Sequence, residues 1–529
     1  MNTLLTKTHV MSLRQCPRKL WLELNRPDLA PEADPGQKRQ TLYGNLVGAA
    51  ARARLDKPRW VRRATREENV TLVTLLELTA DADAFVEVPV VEPTQRLYCR
   101  ADALLRKPQG FVLEETKAST VKRKSDGRLC TPEAQYIEDA AVQLWAFENA
   151  GVPVCAAHLN LLNPDLRLQR QRTIDQLGEW VADAFVQVDI TNEARQLQPQ
   201  VIQWIRQARE VADSPTMPTV DPGPHCKNPN PCPFVSHCAR LLGDRKHQPP
   251  LTLLPDVSGK ALAKRLSARG YHSLTDVPAQ ELTETANPSR AALHLRIQQA
   301  HASGMEVFDT RAAAAIEAIP YPRRYFDFEG IDLALPVWTE VGPYEQVPFQ
   351  WSCHTQDAPG AQLRHDEFLD TSGADPSWAC LRAMIGVLGD GASGSIIVYH
   401  ATYEKGRMQY LAERFPAYRD LLERWIAQLV DLLPVVKDCY YHPNMAGSFS
   451  IKPTLAALAP ELTYADLQGV KNGSEAQWAY IQVALLHDQT EDPVRIIEGM
   501  RRYCERDSLG MYVLAERLLA KRRHALPTA

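Results

Sequence analysis

Two groups of acidic residues in this sequence have the spacing that divalent metal ions need. In YFDFEG, Asp327 and Glu329 alternate with aromatic residues, so both carboxylates are expected on one face of a strand. Glu404 follows the strand-like segment SIIVYHA at the predicted start of a helix, and Tyr503 and Asp507 lie four residues apart on one helical face. Four such acids can hold two divalent ions that activate water for phosphodiester cleavage, and the tyrosine can orient that water. Taken singly, each of the last two residues fits an ordinary amphipathic helix.

The second group lies in the first half of the chain. Asp102 belongs to the strand-like RLYCRADALLRK, and Glu115 and Lys117 in GFVLEETKAS share one face of the next predicted strand. A hairpin would bring the three side chains together, where two carboxylates can hold a metal ion and the lysine can orient a nucleophile. Gln143 is a polar residue on an apolar helix face, which indicates a hydrogen-bond partner. A cross-strand ion pair on a charged outer face would give the same pattern.

Four cysteines supply a candidate ligand set. Cys226, Cys232 and Cys238 are spaced C-x5-C-x5-C in a proline-rich loop, and Cys16 lies far upstream. Four thiolates suffice for a [4Fe-4S] cluster or a tetrahedral zinc ion. The paired short knuckles of structural zinc sites are absent, which favours iron-sulfur; zinc and separate buried thiols are the alternatives. The remaining cysteines are expected to pack in the core: Cys99, Cys130, Cys155, Cys353, Cys380, Cys439 and Cys504.

Length and composition describe a multi-domain folded protein. The chain has 529 residues, 45% of them hydrophobic and 23% charged, with a formal net charge of -4. Such a charge means that a nucleic acid must be bound through local basic patches and metal ions. Alternating strand-like and helical segments predict an α/β fold, with domains at 1–245 and 311–529.

The residues between these two domains, 246–310, are predicted to form a small helical bridge. Gly259 and Gly270 are predicted to end helices or turn between them. A helix-hairpin-helix that binds phosphate through backbone amides and an inert linker are both compatible with this pattern.

The location is predicted to be cytoplasmic. The N-terminal residues lack the apolar stretch of a secretion signal, and no window approaches the ~18 apolar residues that a membrane span needs. Clustered cysteines in a reducing compartment are expected to be metal ligands rather than disulfides.

Residues 1–245 resemble the RecB-like PD-(D/E)XK nucleases that carry an iron-sulfur cluster, including CRISPR-associated exonucleases. The residues that carry the resemblance are Cys16, Asp102, Glu115, Lys117, Gln143, Cys226, Cys232 and Cys238. The resemblance implies a restriction-endonuclease-like fold, a Mg²⁺ or Mn²⁺ ion on the two acids, a catalytic lysine, a positioning glutamine, and a cluster that joins the two ends of the domain. Many relatives have a metal-binding histidine in an early helix, where YGNLVGAAARARL has Gly48 and no histidine.

Residues from about 320 to 520 resemble the DnaQ-like DEDD 3′-5′ exonucleases of the tyrosine subclass. The resemblance implies a ribonuclease H-like fold in which Asp327, Glu329, Glu404 and Asp507 bind two Mg²⁺ or Mn²⁺ ions and Tyr503 positions water. The second motif of that family usually ends in aspartate, and Glu404 is one methylene longer. The segments VPFQWSCH, GSFSIKPTLAALAPE and YCERDSLGMYVL further resemble a bacterial family of unknown function that fuses the two halves.

Together these features predict a metal-dependent DNA nuclease with two sites, acting in DNA repair or phage defence. Single-stranded DNA or DNA ends are the expected substrate, and the basic run KASTVKRK, with Lys122, Arg123 and Lys124, either follows phosphates or is a solvated turn. An RNA 3′-5′ exonuclease and a catalytically degenerate nucleic-acid-binding scaffold are the alternatives. Asp431 and Lys452 can lie near the site of Asp327 and Glu329, but a helix-surface acid and a loop lysine need no functional explanation.

Overall fold

The chain divides into two compact units. The computed structural model describes residues 3–62, 67–179, 183–241, 248–284, 287–391, 393–486 and 492–525. Unit 1 comprises Met1–Gly243 and Leu333–Glu345, and unit 2 comprises Asp244–Asp332 and Gln346–Ala529. Both units contain helices and mixed sheets, so the predicted α/β class is confirmed. The segment 246–310, predicted as a bridge, belongs to unit 2.

Unit 1 is built on one mixed sheet. Its strands are β1 (Leu5–Thr6), β2 (Arg59–Trp60), β3 (Ala84–Glu92), β4 (Leu97–Lys107), β5 (Gly110–Thr120), β6 (Val154–Leu162) and β7 (Phe185–Asp189). Its helices are α1 (Lys7–Gln15), α2 (Pro17–Asn25), α3 (Pro35–Ala53), α4 (Val70–Glu77), α5 (Ala134–Asn149), α6 (Thr191–Gln196), α7 (Gln198–Asp213) and α8 (Val235–Arg240).

The strand order in this sheet is β2-β3-β4-β5-β6-β7, with β1 parallel to β4. The three strands β3, β4 and β5 form an antiparallel meander, and β6 runs parallel to β5 after the crossover through α5. A parallel pair requires such a crossover, and α5 buries an apolar face that includes Phe147 against the sheet. The residues 333–345 also belong to this unit, where the N–H of Arg172 donates to the carbonyl oxygen of Val337 at 2.7 Å.

Unit 2 contains a five-stranded sheet, a two-stranded sheet and many helices. Its strands are β8 (Val307–Phe308), β9 (Arg323–Asp332), β10 (Gln346–Gln356), β11 (Arg364–Leu369), β12 (Ser395–Val398), β13 (Leu429–Asp431) and β14 (Tyr440–Tyr441). Its helices are α9 (Asp256–Ala268), α10 (Ala279–Leu282), α11 (Pro288–Ser303), α12 (Arg311–Glu317), α13 (Ser377–Leu388), α14 (Thr402–Arg414), α15 (Arg419–Ala427), α16 (Leu432–Cys439), α17 (Ile451–Leu458), α18 (Gly473–Tyr480) and α19 (Pro493–Ala525).

The larger sheet of unit 2 has the order β11-β10-β9-β12-β13. Strands β11, β10 and β9 are antiparallel neighbours, whereas β12 is parallel to both β9 and β13. The central strand β9 is buried along most of its length, with Phe326 and Phe328 in the core, because helices such as α19 cover the sheet. A strand buried in this way can present acids only where they have partners.

The helical segment differs from the sequence prediction at one glycine. Gly270, with a φ of +93°, follows the end of α9 as predicted, but Gly259 lies inside α9. A Cβ atom at Gly259 would lie 2.8 Å from the carbonyl carbon of Leu254. The glycine therefore permits close packing of the helix on the preceding backbone, and its prediction as a helix end or turn was wrong.

Among the described residues, no helix combines the length and the apolar character that crossing a membrane requires.

Candidate functional site

Three of the acids predicted in unit 2 lie together. Asp327 and Glu329 project from β9, and Asp507 projects from α19, which packs on β9. One carboxylate oxygen from each residue lies within 4.8 Å of the others. Two acids on alternate residues of a strand share a face, so the local geometry follows directly from the DFE pattern.

Glu404, in the first turn of α14, lies outside the group of three acids whose oxygens are within 4.8 Å of one another. Its side chain is buried, it interacts electrostatically with Asp327, Glu329 and Asp507, and its Oε2 has no hydrogen-bond partner in the described part of the chain. A buried carboxylate oxygen without a partner is costly, and a metal ion would satisfy it. The N-terminal end of α14 favours a negative charge at this position.

The electrostatics of the four acids indicate a shortage of positive charge. Burial, followed by repulsion from neighbouring acids, raises the pKa of Asp327 well above its ordinary value and that of Glu329 to about 8. Burial and repulsion from Asp431 raise the pKa of Glu404 to about 8, and burial also raises that of Asp507. Without a cation the group retains protons near neutral pH, so the donor set fits divalent metal ions.

Glycine follows Glu329 for a steric reason. A Cβ atom at Gly330 would lie 2.8 Å from the hydroxyl oxygen of Tyr403 and 3.0 Å from Oε1 of Gln346. The carbonyl oxygen of Gly330 accepts a hydrogen bond from Nε2 of Gln477 at 2.8 Å. The EG step in the sequence therefore marks a close approach of α14 and β10 to the acidic strand.

Tyr503 lies beside the acids, together with Lys452, to which the sequence analysis gave no role, and Tyr464, which it did not identify. The Tyr503 hydroxyl interacts electrostatically with Glu329 and Asp507, and the Tyr464 hydroxyl donates a hydrogen bond to Oδ1 of Asp507. Nζ of Lys452 lies 3.5 Å from the Tyr503 hydroxyl, 4.8 Å from the Tyr503 ring centroid and 5.2 Å from the Tyr464 ring centroid. Lys452 is therefore a basic residue of this site.

The interpretation of Lys452 as a loop residue and of Asp431 as a helix-surface acid was wrong. Lys452 lies in α17, and its positive charge lowers the pKa values of Glu329 and Asp507. Asp431 ends β13, where its carboxylate accepts backbone hydrogen bonds from His400 at 2.9 Å, Ala401 at 3.0 Å and Leu433 at 2.9 Å. It thereby fixes the turn that leads into α14 and positions Glu404.

The acidic site predicted in unit 1 is paired with lysines. Nζ of Lys117 lies 2.7 Å from Oε1 of Glu115 and also contacts Asp139, and Nε2 of Gln143 donates to Oε2 of Glu115 at 2.7 Å. Nζ of Lys7, the first residue of α1, lies 2.9 Å from the same Glu115 oxygen and 3.1 Å from Oδ2 of Asp139. The predicted partner of Gln143 is therefore Glu115.

Asp102 lies beside this group on β4. Its Oδ2 accepts a hydrogen bond from the backbone N–H of Thr116 at 2.8 Å. Burial and the charge of Glu115 raise the pKa of Asp102 to about 7. Burial also disfavours the charge on Glu115, but Lys117 and Lys7 outweigh it and hold the pKa of Glu115 below its usual range. Among the described residues, Lys7 and Lys117 therefore compensate the charge of Asp102 less than that of Glu115.

Asp139 and Lys7 were not predicted as site residues of unit 1, and the sequence contained a signal only for Asp139. Asp139 precedes Gln143 by four residues on α5, so the two polar groups share one face of an apolar helix. Lys7 gave no such signal, because it is 108 residues away from Glu115 in sequence. The strand β5 also carries Glu114 on its other face, where it pairs with Arg54.

The four predicted cluster cysteines line one small cavity in unit 1. Each is about 8% exposed, and Cys226, Cys232 and Cys238 pack with Leu22 and Phe234. Among the described residues no three of their sulfur atoms lie within 4.8 Å of one another. Thiolates around one zinc ion lie about 3.8 Å apart, since each is about 2.3 Å from the metal, so the spacing does not match a single ion.

A second group of possible metal ligands lies on α19 and the sheet of unit 2. Ligand atoms of His354, His365 and Glu505 lie within 4.8 Å of one another. The two imidazole rings are stacked, with centroids 4.5 Å apart and planes inclined by 22°. The lone pairs of imidazole lie in the ring plane, so stacked rings do not direct them at one ion. Burial lowers the pKa of His354 to about 4, which keeps the stack free of charge repulsion.

The basic run after β5 forms surface ion pairs. Lys122 lies 3.1 Å from Glu133 and Arg123 lies 3.4 Å from Asp165, with side chains that remain 69% and 39% exposed. Exposed pairs of this kind stabilise a fold weakly and exchange readily with phosphate.

The described residues thus define a mixed α/β protein with one buried acidic site in each of two units. A family described as a domain of unknown function (DUF2779) matches residues 324–450, the stretch that contains Asp327, Glu329 and Glu404. No curated protein and no solved structure matches the chain.

Proposed function

We propose that this protein is a metal-dependent nuclease that hydrolyses phosphodiester bonds of DNA, with its principal site in unit 2. The observation that carries the proposal is the convergence of Asp327, Glu329 and Asp507 within 4.8 Å, with buried Glu404 and Tyr503 beside them. An acid-rich site with a positioned tyrosine suits two Mg²⁺ or Mn²⁺ ions, which supply activation of water and neutralise charge on the phosphate. The strand order of unit 2 is consistent with a ribonuclease H-like fold.

The protein's own groups have distinct tasks in this mechanism. Asp327 and Glu329 anchor the site on a central strand, and Asp507 and Glu404 approach from helices. The pKa of Tyr503 is raised well above its ordinary value by burial and by Asp507, so its hydroxyl stays protonated and can hold the attacking water by hydrogen bonding. Lys452 supplies a fixed positive charge for the phosphate.

Unit 1 is proposed to be a RecB-like nuclease module with a restriction-endonuclease-like fold. Support comes from the antiparallel meander β3-β4-β5 followed by α5 and parallel β6, with Asp102 and Glu115 on neighbouring strands. Lys117 is the proposed catalytic lysine, and Gln143 fixes the orientation of Glu115 through its 2.7 Å hydrogen bond. Such a site orients a phosphodiester between an acid-bound metal ion and an ammonium group.

The cysteine cavity is proposed to hold a [4Fe-4S] cluster through Cys16, Cys226, Cys232 and Cys238. A cubic four-iron cluster holds its thiolates farther apart than a single metal ion does. This wider separation suits the four cysteines, which line one cavity although no three of their described sulfur atoms lie within 4.8 Å of one another. Such a group would join α1 and α2 to the loop before α8.

A cleavage assay tests the proposed function. Single-stranded DNA and RNA of one sequence, labelled at the 3′ or the 5′ end, are incubated with Mn²⁺ and wild-type protein, Asp327→Asn or Glu115→Gln. In protein that already carries Glu115→Gln, we expect metal-dependent cleavage of DNA that falls at least about 10³-fold when Asp327→Asn is added, whereas adding the exposed control Asp420→Asn retains it. Preferential cleavage of RNA would instead identify an RNA exonuclease. Binding of nucleic acid without cleavage by any of these proteins would identify a scaffold.

A further inference from the structure

We propose that Lys7 is a built-in cation that limits the unit 1 site to one divalent metal ion, bound at the Asp102 end. This inference rests on the proposed nuclease function of unit 1. It adds a residue and a metal stoichiometry that the sequence motif does not contain.

The contacts of Lys7 place its charge inside the acidic group. Its Nζ lies 2.9 Å from Glu115 and 3.1 Å from Asp139, the same two carboxylates that Lys117 contacts. Its side chain is only 20% exposed. Two carboxylates therefore lie within hydrogen-bonding distance of this half-buried ammonium group.

The backbone fixes Lys7 in this position. Strand β1 pairs in parallel with β4, with Leu5 opposite Leu97 and Thr6 opposite Tyr98. The Thr6 side chain caps α1 by accepting a hydrogen bond from the N–H of His9 at 3.2 Å. A lysine at the first position of a helix tied to the sheet in this way is held at the site, unlike a surface lysine on a free loop.

The charges decide how many metal ions fit. Asp102, Glu115 and Asp139 contribute three carboxylates and Lys7 and Lys117 contribute two ammonium groups, which leaves an excess of one negative charge when all three acids are ionised. Both lysines pair with Glu115 and Asp139, whereas Asp102 is hydrogen-bonded to the N–H of Thr116. A divalent ion between Asp102 and Glu115 is therefore attracted. A second ion near Asp139 would meet the ammonium of Lys7 and be repelled.

Counting bound Mn²⁺ tests the inference without any measurement of cleavage. The parent protein carries Asp327→Asn and Asp507→Asn, so that unit 2 does not contribute, and Mn²⁺ is titrated calorimetrically and by its electron paramagnetic resonance signal. We expect Glu115→Gln to bind one ion fewer than the parent. Lys7→Met and Lys7→Gln are expected to bind one ion more than the parent. The exposed control Lys107→Met is expected to match the parent.

Two different substitutions of Lys7 are used so that a change in ion binding can be distinguished from unfolding. Glutamine retains hydrogen-bonding capacity toward Glu115 and Asp139 while removing the charge, and thermal unfolding shows that the variant compared is folded. The inference about Lys7 is overturned if a folded Lys7 variant binds the same number of Mn²⁺ ions as the parent, or fewer. If Glu115→Gln still binds one ion fewer than the parent, the unit 1 metal site itself remains supported. No loss of an ion in Glu115→Gln overturns both the inference and the proposed function of unit 1.

Discussion

The hydroxyl group of Tyr464 donates a hydrogen bond to the carboxylate of Asp507, which lies 43 residues further along the chain. This contact brings the segment between α17 and α18 against the acids of unit 2. Helix α17, which precedes this segment, contributes Lys452, whose ammonium lies against the ring of Tyr464. The candidate site is therefore formed by a tyrosine from this segment and a lysine from α17 as well as by the acids of β9, α14 and α19.

Replacing Tyr464 by phenylalanine is expected to weaken metal binding in unit 2. Burial raises the pKa of Asp507, and the hydrogen bond from Tyr464 opposes that rise. Without the hydroxyl, Asp507 holds its proton to a higher pH, so Mn²⁺ affinity at pH 7 should fall about tenfold, the equivalent of about one pKa unit. Calorimetric titration measures this change. Tyr418→Phe is the control, and an unchanged affinity in Tyr464→Phe contradicts the expectation.

The stability of the metal-free protein is expected to fall as the pH rises from 5 to 8. The pKa values of Glu329 and Glu404 are about 8 in the folded protein because of burial, whereas an unfolded glutamate ionises near pH ~4.3. Between these values the folded state holds protons that the unfolded chain has released, so the free energy of unfolding decreases with rising pH.

Saturating Mg²⁺ replaces the protons on these acids and removes the loss of folding stability that their ionisation causes at high pH. The melting temperatures of the Mg²⁺-bound and metal-free proteins should therefore be closer at pH 6 than at pH 8, as measured by scanning calorimetry. Asp327→Asn should abolish the Mg²⁺ effect on unit 2. A Mg²⁺-induced shift that is equal at the two pH values would be evidence against buried protonated acids.

Replacing Lys452 by methionine is expected to slow cleavage without weakening metal binding. Its charge lies within reach of Tyr503 and lowers the pKa values of Glu329 and Asp507, but the charge repels metal ions as it attracts phosphate. In protein whose unit 1 site is inactivated by Glu115→Gln, we expect kcat to fall by about 10²-fold, similar to the loss of one charge-stabilising donor. The Mn²⁺ concentration for half-maximal rate should stay within about threefold.

Two further lysine substitutions distinguish the effect of the charge of Lys452 from the effect of its packing. Lys452→Arg should recover part of the rate, and Lys260→Met, an exposed lysine on α9, should leave it unchanged. A Lys452→Met protein with a wild-type rate would show that this lysine only supports the fold.

Replacing Cys226 by serine is expected to remove iron from the purified protein. Cys226 and its three partners line one cavity, and a cluster bound by three thiolates is less firmly held. Iron analysis and the visible absorption of anaerobically purified protein measure the change. Cys155→Ser, a half-buried cysteine outside the cavity, is the matched control. Wild-type protein that contains zinc, or neither metal, would contradict the cluster assignment.

Local sequence patterns predicted those features of the fold and the site that depend on residues close together in the sequence. Periodicity gave the mixed α/β class, and the alternation of acids and aromatics in YFDFEG places Asp327 and Glu329 on one strand face. Lys7, Lys452 and Tyr464 lay beyond local patterns, because each meets its partner across 108, 51 and 43 residues respectively. Such contacts depend on which strands and helices pair, and a single sequence does not specify that pairing.

The position of Gly259 shows a second limit of prediction from the sequence. Glycine permits helix ends and close packing alike, and its sequence neighbours are the same in both cases. Only the backbone of Leu254, 2.8 Å from the site of a Cβ atom, identifies the packing role.

Anomalous diffraction from crystals grown with Mn²⁺ at pH 8 tests most directly whether the acids of unit 2 form a two-metal site. We predict two manganese peaks about 3.5–4 Å apart, in contact with Asp327, Glu329 and Asp507 and with Glu404 as a further ligand. The absence of any manganese peak among these carboxylates would contradict the account.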